Sequence, residues 1–121
     1  MIVYKAVYVR FDELWSVIHE DKLGVGVRYI PGVESVAPHR LAKQGYHLCV
    51  FDTLENAELF GEYCCVWEAE AREEVPLPPY GHPWEDGTVD VIDNACWPTG
   101  TKMYKGVTLT RQVMNGYHST G

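Results

Sequence analysis

Histidine and cysteine carry the widest chemical repertoire, and two of them, His47 and Cys49, alternate within the apolar run YHLCVF at 46–51. In an extended segment they project from one face. With Cys64, Cys65 or His39 alongside they would offer nitrogen and thiolate ligands to zinc, but no pair has the loop spacing of a structural zinc site. The expectation is therefore a buried histidine beside a buried cysteine, with no metal and no cofactor. Cysteine nucleophiles need a thiolate stabilised by positive charge. Cys64 and Cys65 stand near Glu62 and Glu68 instead, whose carboxylates oppose thiol ionisation. The four cysteines have no CxxC spacing, and the adjacent Cys64 and Cys65 would bridge only under strain, so all are expected to be reduced thiols. GxSxG, P-loop and GxGxxG patterns are absent. The motifs favour a binding protein over an enzyme.

The acidic side chains point to what such a protein would bind. Net charge is −7, and residues 52–74 alone contribute −7, with eight acids against Arg72; residues 1–51 contribute +1 and residues 75–121 contribute −1. No basic tract is present to follow a phosphate backbone, which argues against direct nucleic-acid binding. Glu55, Glu58 and Glu62 recur at helical spacing, and Glu68 and Glu70 fall on the polar face of the strand expected next. Together they would form a surface for a protein partner with a basic patch.

These side chains need elements to hold them. IVYKAVYV, 2–9, is β-branched and aromatic and reads as a strand buried on much of both faces. LWSVI, 14–18, and VGVRYI, 25–30, joined by the polar HEDKLG, read as a hairpin, with DELWSVIHEDKL as an amphipathic helix the alternative. Pro31-Gly32 fits the centre of a type II turn. After the strand 46–51, Asp52 or Thr53 caps a short helix over about 53–61, with Glu55 completing a capping-box pattern from Asp52. Leu54, Ala57, Phe60 or Gly61, and Cys64 form its inward stripe, and Gly61 ends it. From Tyr63 the period becomes two, with Tyr63, Cys65, Trp67, Ala69 and Ala71 on one face and Glu68, Glu70 and Arg72 on the other. VPLPPYGHPW, 75–84, carries four of the seven prolines and reads as a rigid surface loop. TVDVID, 88–93, and KGVTLTRQV, 105–113, are further strands, and 115–121 reads as a flexible tail. Trp84-x-x-Gly87-Thr88 and Trp97-x-x-Gly100-Thr101 read as two turns, each with a tryptophan packed beside it.

With 121 residues and 46% apolar content, the chain is sized for a single domain, 1–121. No apolar run reaches the length of a membrane span, and Lys5 and Arg10 interrupt the start, so a soluble, cytoplasmic protein without membrane contact is expected. The expected fold class is α+β: a curved, mainly antiparallel sheet of five to seven strands with one short helix packed on it. Its core should contain Val7, Val27, Leu48, Val50, Leu54, Ala57, Phe60, Trp67, Val107 and Leu109.

Several stretches carry a resemblance: Tyr4-Lys5-Ala6-Val7, Ser16, Tyr29-Ile-Pro-Gly32 with Ala37-Pro38, Val50-Phe-Asp-Thr-Leu-Glu-Asn-Ala57 with Phe60, and Trp97-Pro-Thr-Gly-Thr101 leading to Val107, Leu109 and Arg111. In these the chain resembles a loosely defined family of small uncharacterised proteins found in phages, bacteria, archaea and metagenomic collections. The resemblance spans most of residues 3–113 and brings no activity with it. The expectation of a non-enzymatic binding module, carried by a mobile element or virus, rests instead on the −7 of residues 52–74 and the absence of a catalytic set. Gly45-x5-Phe51-x5-Ala57-x2-Phe60 is also similar to the strand, turn and helix of ADP-ribosyltransferase-like folds. That likeness implies, as the alternative, a nucleotide pocket near Tyr4, Tyr29, His47 and Phe51. The first strand here offers Tyr4 and Lys5 where those enzymes use His or Arg to hold NAD, and 105–113 lacks their late glutamate.

Overall fold

The computed structural model describes residues 2–16, 27–60, 65–83, 88–93 and 95–114. Glu62, Tyr63, Cys64, the Phe60 side chain, the helix end at Gly61, the hairpin turn 19–24, the Trp84–Gly87 turn and the tail lie outside them.

Strand β1, Ile2–Arg10, turns back on β2, Glu13–Ser16, through Phe11 and Asp12. Both have positive φ, 52° and 64°, which is the type I′ pattern whose twist suits a two-residue hairpin. β2 pairs antiparallel with β3, Arg28–Tyr29, in agreement with the expected hairpin. Pro31-Gly32 then turns the chain as expected: Gly32 has φ 82° and the Val33 N–H donates to the Ile30 carbonyl at 2.9 Å. A four-residue helix, α1, His39–Ala42, follows Pro38 and was not foreseen. Strand β4, Leu48–Phe51, leads into helix α2, Leu54–Phe60. Thr53 is its cap, since the Asn56 N–H donates to Thr53 Oγ1 at 3.1 Å. The third helical position is thus Asn56 rather than Glu55, and its amide reaches back to Asp52 Oδ1 at 2.9 Å.

Strand β5, Cys65–Val75, is followed by β6, Gly81–Pro83, and β7, Val89–Val91, which pair with each other as a separate two-stranded sheet. The proline-rich stretch is therefore shorter than 75–84, because Val75 closes β5 and Gly81 opens β6. It is also tied down: Trp97 Nε1 donates to the Pro78 carbonyl at 2.7 Å, Tyr46 Oη donates to Pro79 at 2.8 Å, and Tyr80 meets Trp97 edge to face at 4.9 Å. β8, Thr101–Met114, is the longest strand, starting four residues before the expected 105.

Among the described residues the main sheet has six antiparallel strands in the order β3-β2-β1-β4-β8-β5, and β5 pairs again with β1 over Ile2–Val7. Strands β1, β4, β8 and β5 therefore form a closed ring like a small barrel, with β2 and β3 continuing from β1. β1 and β4 meet at one pair, Tyr4 and Phe51, while the 32–35 segment fills the neighbouring gap beside β8. There Gly32 N–H donates to Leu109 and Ser35 pairs with Val107.

The enclosed core contains Val3, Val7, Val27, Tyr29, Leu48, Val50, Ala69, Tyr104, Val107 and Leu109. A second cluster, Phe51, Ala57 and Val66 with Tyr4 and Leu54, lies where α2 covers β1, β4 and β5. Of the expected core, Leu54 and Trp67 are only partly buried. Lys5 was not expected inside, yet it is 5% exposed: Nζ donates to the Cys49 carbonyl at 2.6 Å and sits 5.3 Å from the centre of the Tyr29 ring. Among the described residues no helix is long and apolar enough to cross a membrane.

Candidate functional site

Strand register decides what the acidic segment presents. β5 lies against β8 from Val66 to Val75, which sets its acids beside the bases of β8. Glu68 accepts from Arg111 Nη2 at 2.6 Å, Glu73 from Lys105 Nζ at 2.7 Å, and Lys102 Nζ is 3.7 Å from Glu74. Arg72, the segment's own base, donates Nε to Glu34 Oε2 at 2.7 Å and Nη2 to Oε1 at 3.3 Å, a two-pronged contact. The charge that looks concentrated along the sequence is thus matched across strands on the β5 side. Glu70 is exposed on β5. Glu55 and Glu58 are exposed on α2, with no cation against them among the described residues. Between them in the helix lies Asn56, and after them Leu59, which is 77% exposed.

The loop that enters β8 rises beside this helix face. Asp52 N–H donates to the Gly100 carbonyl at 2.9 Å, and Thr101 closes a turn by donating both N–H and Oγ1 to Pro98. Gly100 has φ 81°, and a Cβ there would collide with the Asn56 amide and the Asp52 carboxylate. The two motif stretches, FDTLENA and WPTGT, therefore meet at one corner. Asn56, Leu59, Pro98 and Thr99 line a cleft of about 310 Å3 there.

The four residues of the alternative pocket do not come together. Tyr29 is 2% exposed inside the closed sheet and Phe51 is 4% exposed beneath α2 beside Tyr4, so neither ring is open to a nucleotide. His47 lies elsewhere, in a cleft with His39, Arg72 and Lys105. Among the described residues no cluster of three His, Cys, Asp or Glu is placed to hold an ion. Burial pushes the Cys49 thiol up to about 11, against the pull of Lys5, so it stays protonated and inert. Burial likewise raises Tyr29.

The ion pairs leave their mark on titration. Hydrogen bonding from Arg72 holds Glu34 below the ordinary carboxylate value, and Lys105 does the same for Glu73. His47 is lowered by partial burial first and by Lys105 second, against the opposing charge of Glu73. Sequence reasoning named His39 and His47 but missed Arg72 and Lys105 as their neighbours. The only available signal was the alternation around Lys105-Gly106, which fixes a strand but not its partner.

Compared with known proteins, the chain gives no significant match to any family model, curated protein or solved structure.

Proposed function

We propose that this chain is a non-enzymatic protein-binding module, of the kind carried by a mobile element or virus, and that it docks a basic segment of its partner on α2. Within the acidic segment 52–74, the β5 acids Glu68, Glu73 and Glu74 have basic partners, so the contact centres on Glu55 and Glu58 of α2. The observation that carries it is Leu59, an aliphatic side chain 77% exposed on the same short helix as two exposed carboxylates. An apolar anchor rimmed by like charge, beside the Asn56–Thr99 cleft, suits a partner that brings an aliphatic residue flanked by Lys or Arg.

The test is capture of partners by the immobilised protein and by two variants, Glu55→Gln with Glu58→Gln, and Leu59→Ser. Both changes are at exposed positions and should leave Tm within about 2 °C of the parent. Capture should fall in both variants, and in the parent as salt rises. Unchanged capture by both variants would sink the reading. Of the four residues named for the nucleotide alternative, Tyr29 and Phe51 are buried, while His47 lines a separate cleft.

A further inference from the structure

A second cleft, of about 410 Å3, opens where α1, β4, β5 and β8 converge, on residues the α2 contact does not use. Its polar lining is basic in type throughout: His39 from α1, His47 leading into β4, Arg72 from β5 and Lys105 from β8. Val36, Ala37 and Ala42 supply an apolar wall. No carboxylate is part of this lining, in a chain whose net charge is −7. The acids Glu34 and Glu73 grip Arg72 and Lys105 without joining the lining, and so fix the directions of those two cations.

Two backbone features maintain that arrangement. Glu73 has φ 61°, a left-handed conformation that a non-glycine residue holds in a strand only at a cost of roughly 1–3 kcal/mol. In it the carboxylate meets Lys105 at 2.7 Å and Arg72 Nη1 at 3.5 Å. Gly106 leaves the space in which the Glu34–Arg72 pair lies, because a Cβ there would overlap the Glu34 carboxylate and crowd Arg72 Nε at 3.1 Å. Arg72 and Lys105 keep N–H groups beyond those used by their acids, as five and three donors respectively allow.

We propose that this cleft binds a small organic oxyanion, a phosphate or carboxylate carried on a compact apolar body. The anionic group is held by Arg72, Lys105 and the two imidazoles, and the apolar body rests on Val36, Ala37 and Ala42. A bound anion favours imidazolium, so it raises the titration midpoint of His47, and by reciprocity binding strengthens as His47 protonates. The groups that set this response are His39 on α1, Arg72 and Glu73 on β5, Lys105 on β8, and Glu34 in the segment before α1.

The experiment follows the imidazole NMR signals of the full chain while phenyl phosphate, benzoate or inorganic phosphate is added. Saturable shifts at His47 and His39 with a Kd of about 1 mM or tighter for phenyl phosphate or benzoate are expected, with inorganic phosphate weaker because it lacks the apolar body. The stronger of the two organic ligands identifies the anionic group. Lys105→Met and Arg72→Gln should each weaken binding about tenfold or more. Arg111→Gln, which breaks a comparable ion pair elsewhere on β8, should not. Thermal melting of each variant confirms that the fold persists. Shifts that stay linear in ligand, that are equal for all three anions, or that survive in Lys105→Met would each overturn the proposal.

Discussion

Lys5 shows how far a single side chain can depart from its sequence appearance. The alternation of β1 assigns it to the face of Val3 and Val7, and the closed sheet leaves that face no route to water. Its ammonium is accommodated by the Cys49 carbonyl and the Tyr29 ring. Lys5→Ala removes the stem from the core and leaves a buried carbonyl without that donor, so it should destabilise by about 2–4 kcal/mol in urea titration. Tyr29→Phe should act in the opposite sense. The Tyr29 hydroxyl is buried without a hydrogen-bond partner among the described residues, while its ring supplies the contact with Lys5. Removing the hydroxyl should leave stability unchanged or raise it by up to about 1 kcal/mol, and a loss of more than that would show that the hydroxyl is satisfied. At Gly100, alanine faces both a positive φ and the Asn56–Asp52 pair, and a loss of roughly 2 kcal/mol is expected.

Elements were legible where local chemistry decides them. β1, the Pro31-Gly32 turn, the strand before α2 and the helix itself follow from β-branched runs, a fixed proline φ and a cap. Thr53→Ala should lower stability by about 1 kcal/mol, read as a Tm decrease of roughly 3–6 °C, because α2 loses the acceptor for the Asn56 N–H. What sequence could not supply was partnership. α1 is too short to show a period, and Thr-Lys-Met-Tyr, 101–104, has too few apolar positions to show that β8 begins at Thr101. The acidic segment was counted correctly but not its neutralisation, since Arg111, Lys105 and Lys102 reach it only through a register set dozens of residues away. The same nonlocal pairing brings Arg72 and Lys105 to His47. These groups share one pH response. Glu34 and Glu73 have folded pKa values below their unfolded ones, so their contribution is present above the ordinary carboxylate range and is lost as pH falls through the folded values. His47 is also lowered, so it too favours the folded state above its unfolded value and opposes it on acidification. Replacing Glu34 or Glu73 by Gln should therefore reduce the fall in urea midpoint between neutral and acidic pH relative to the parent.

At the scale of the molecule, stability should be unevenly spread. The main sheet carries the enclosed core, whereas β6 and β7 form a separate two-stranded pair, with Val91 and the following Ile92 exposed at 52% and 42%. Two-stranded sheets are marginal alone, so amides of β6 and β7 should exchange with deuterium well before those of β1, β5 and β8. Closure has a further consequence for the order in which the chain is made. β1 is synthesised well before its seam partner, which begins at Cys65, and β8, which holds β4 and β5 together, does not finish until Met114. A nascent chain lacking β8 therefore carries a first strand whose lysine is destined for the interior and whose neighbours stay incomplete. Until β5 and β8 have emerged the β1–β2 hairpin lacks the strands that close over it, so its exposed edge is open to association with other chains.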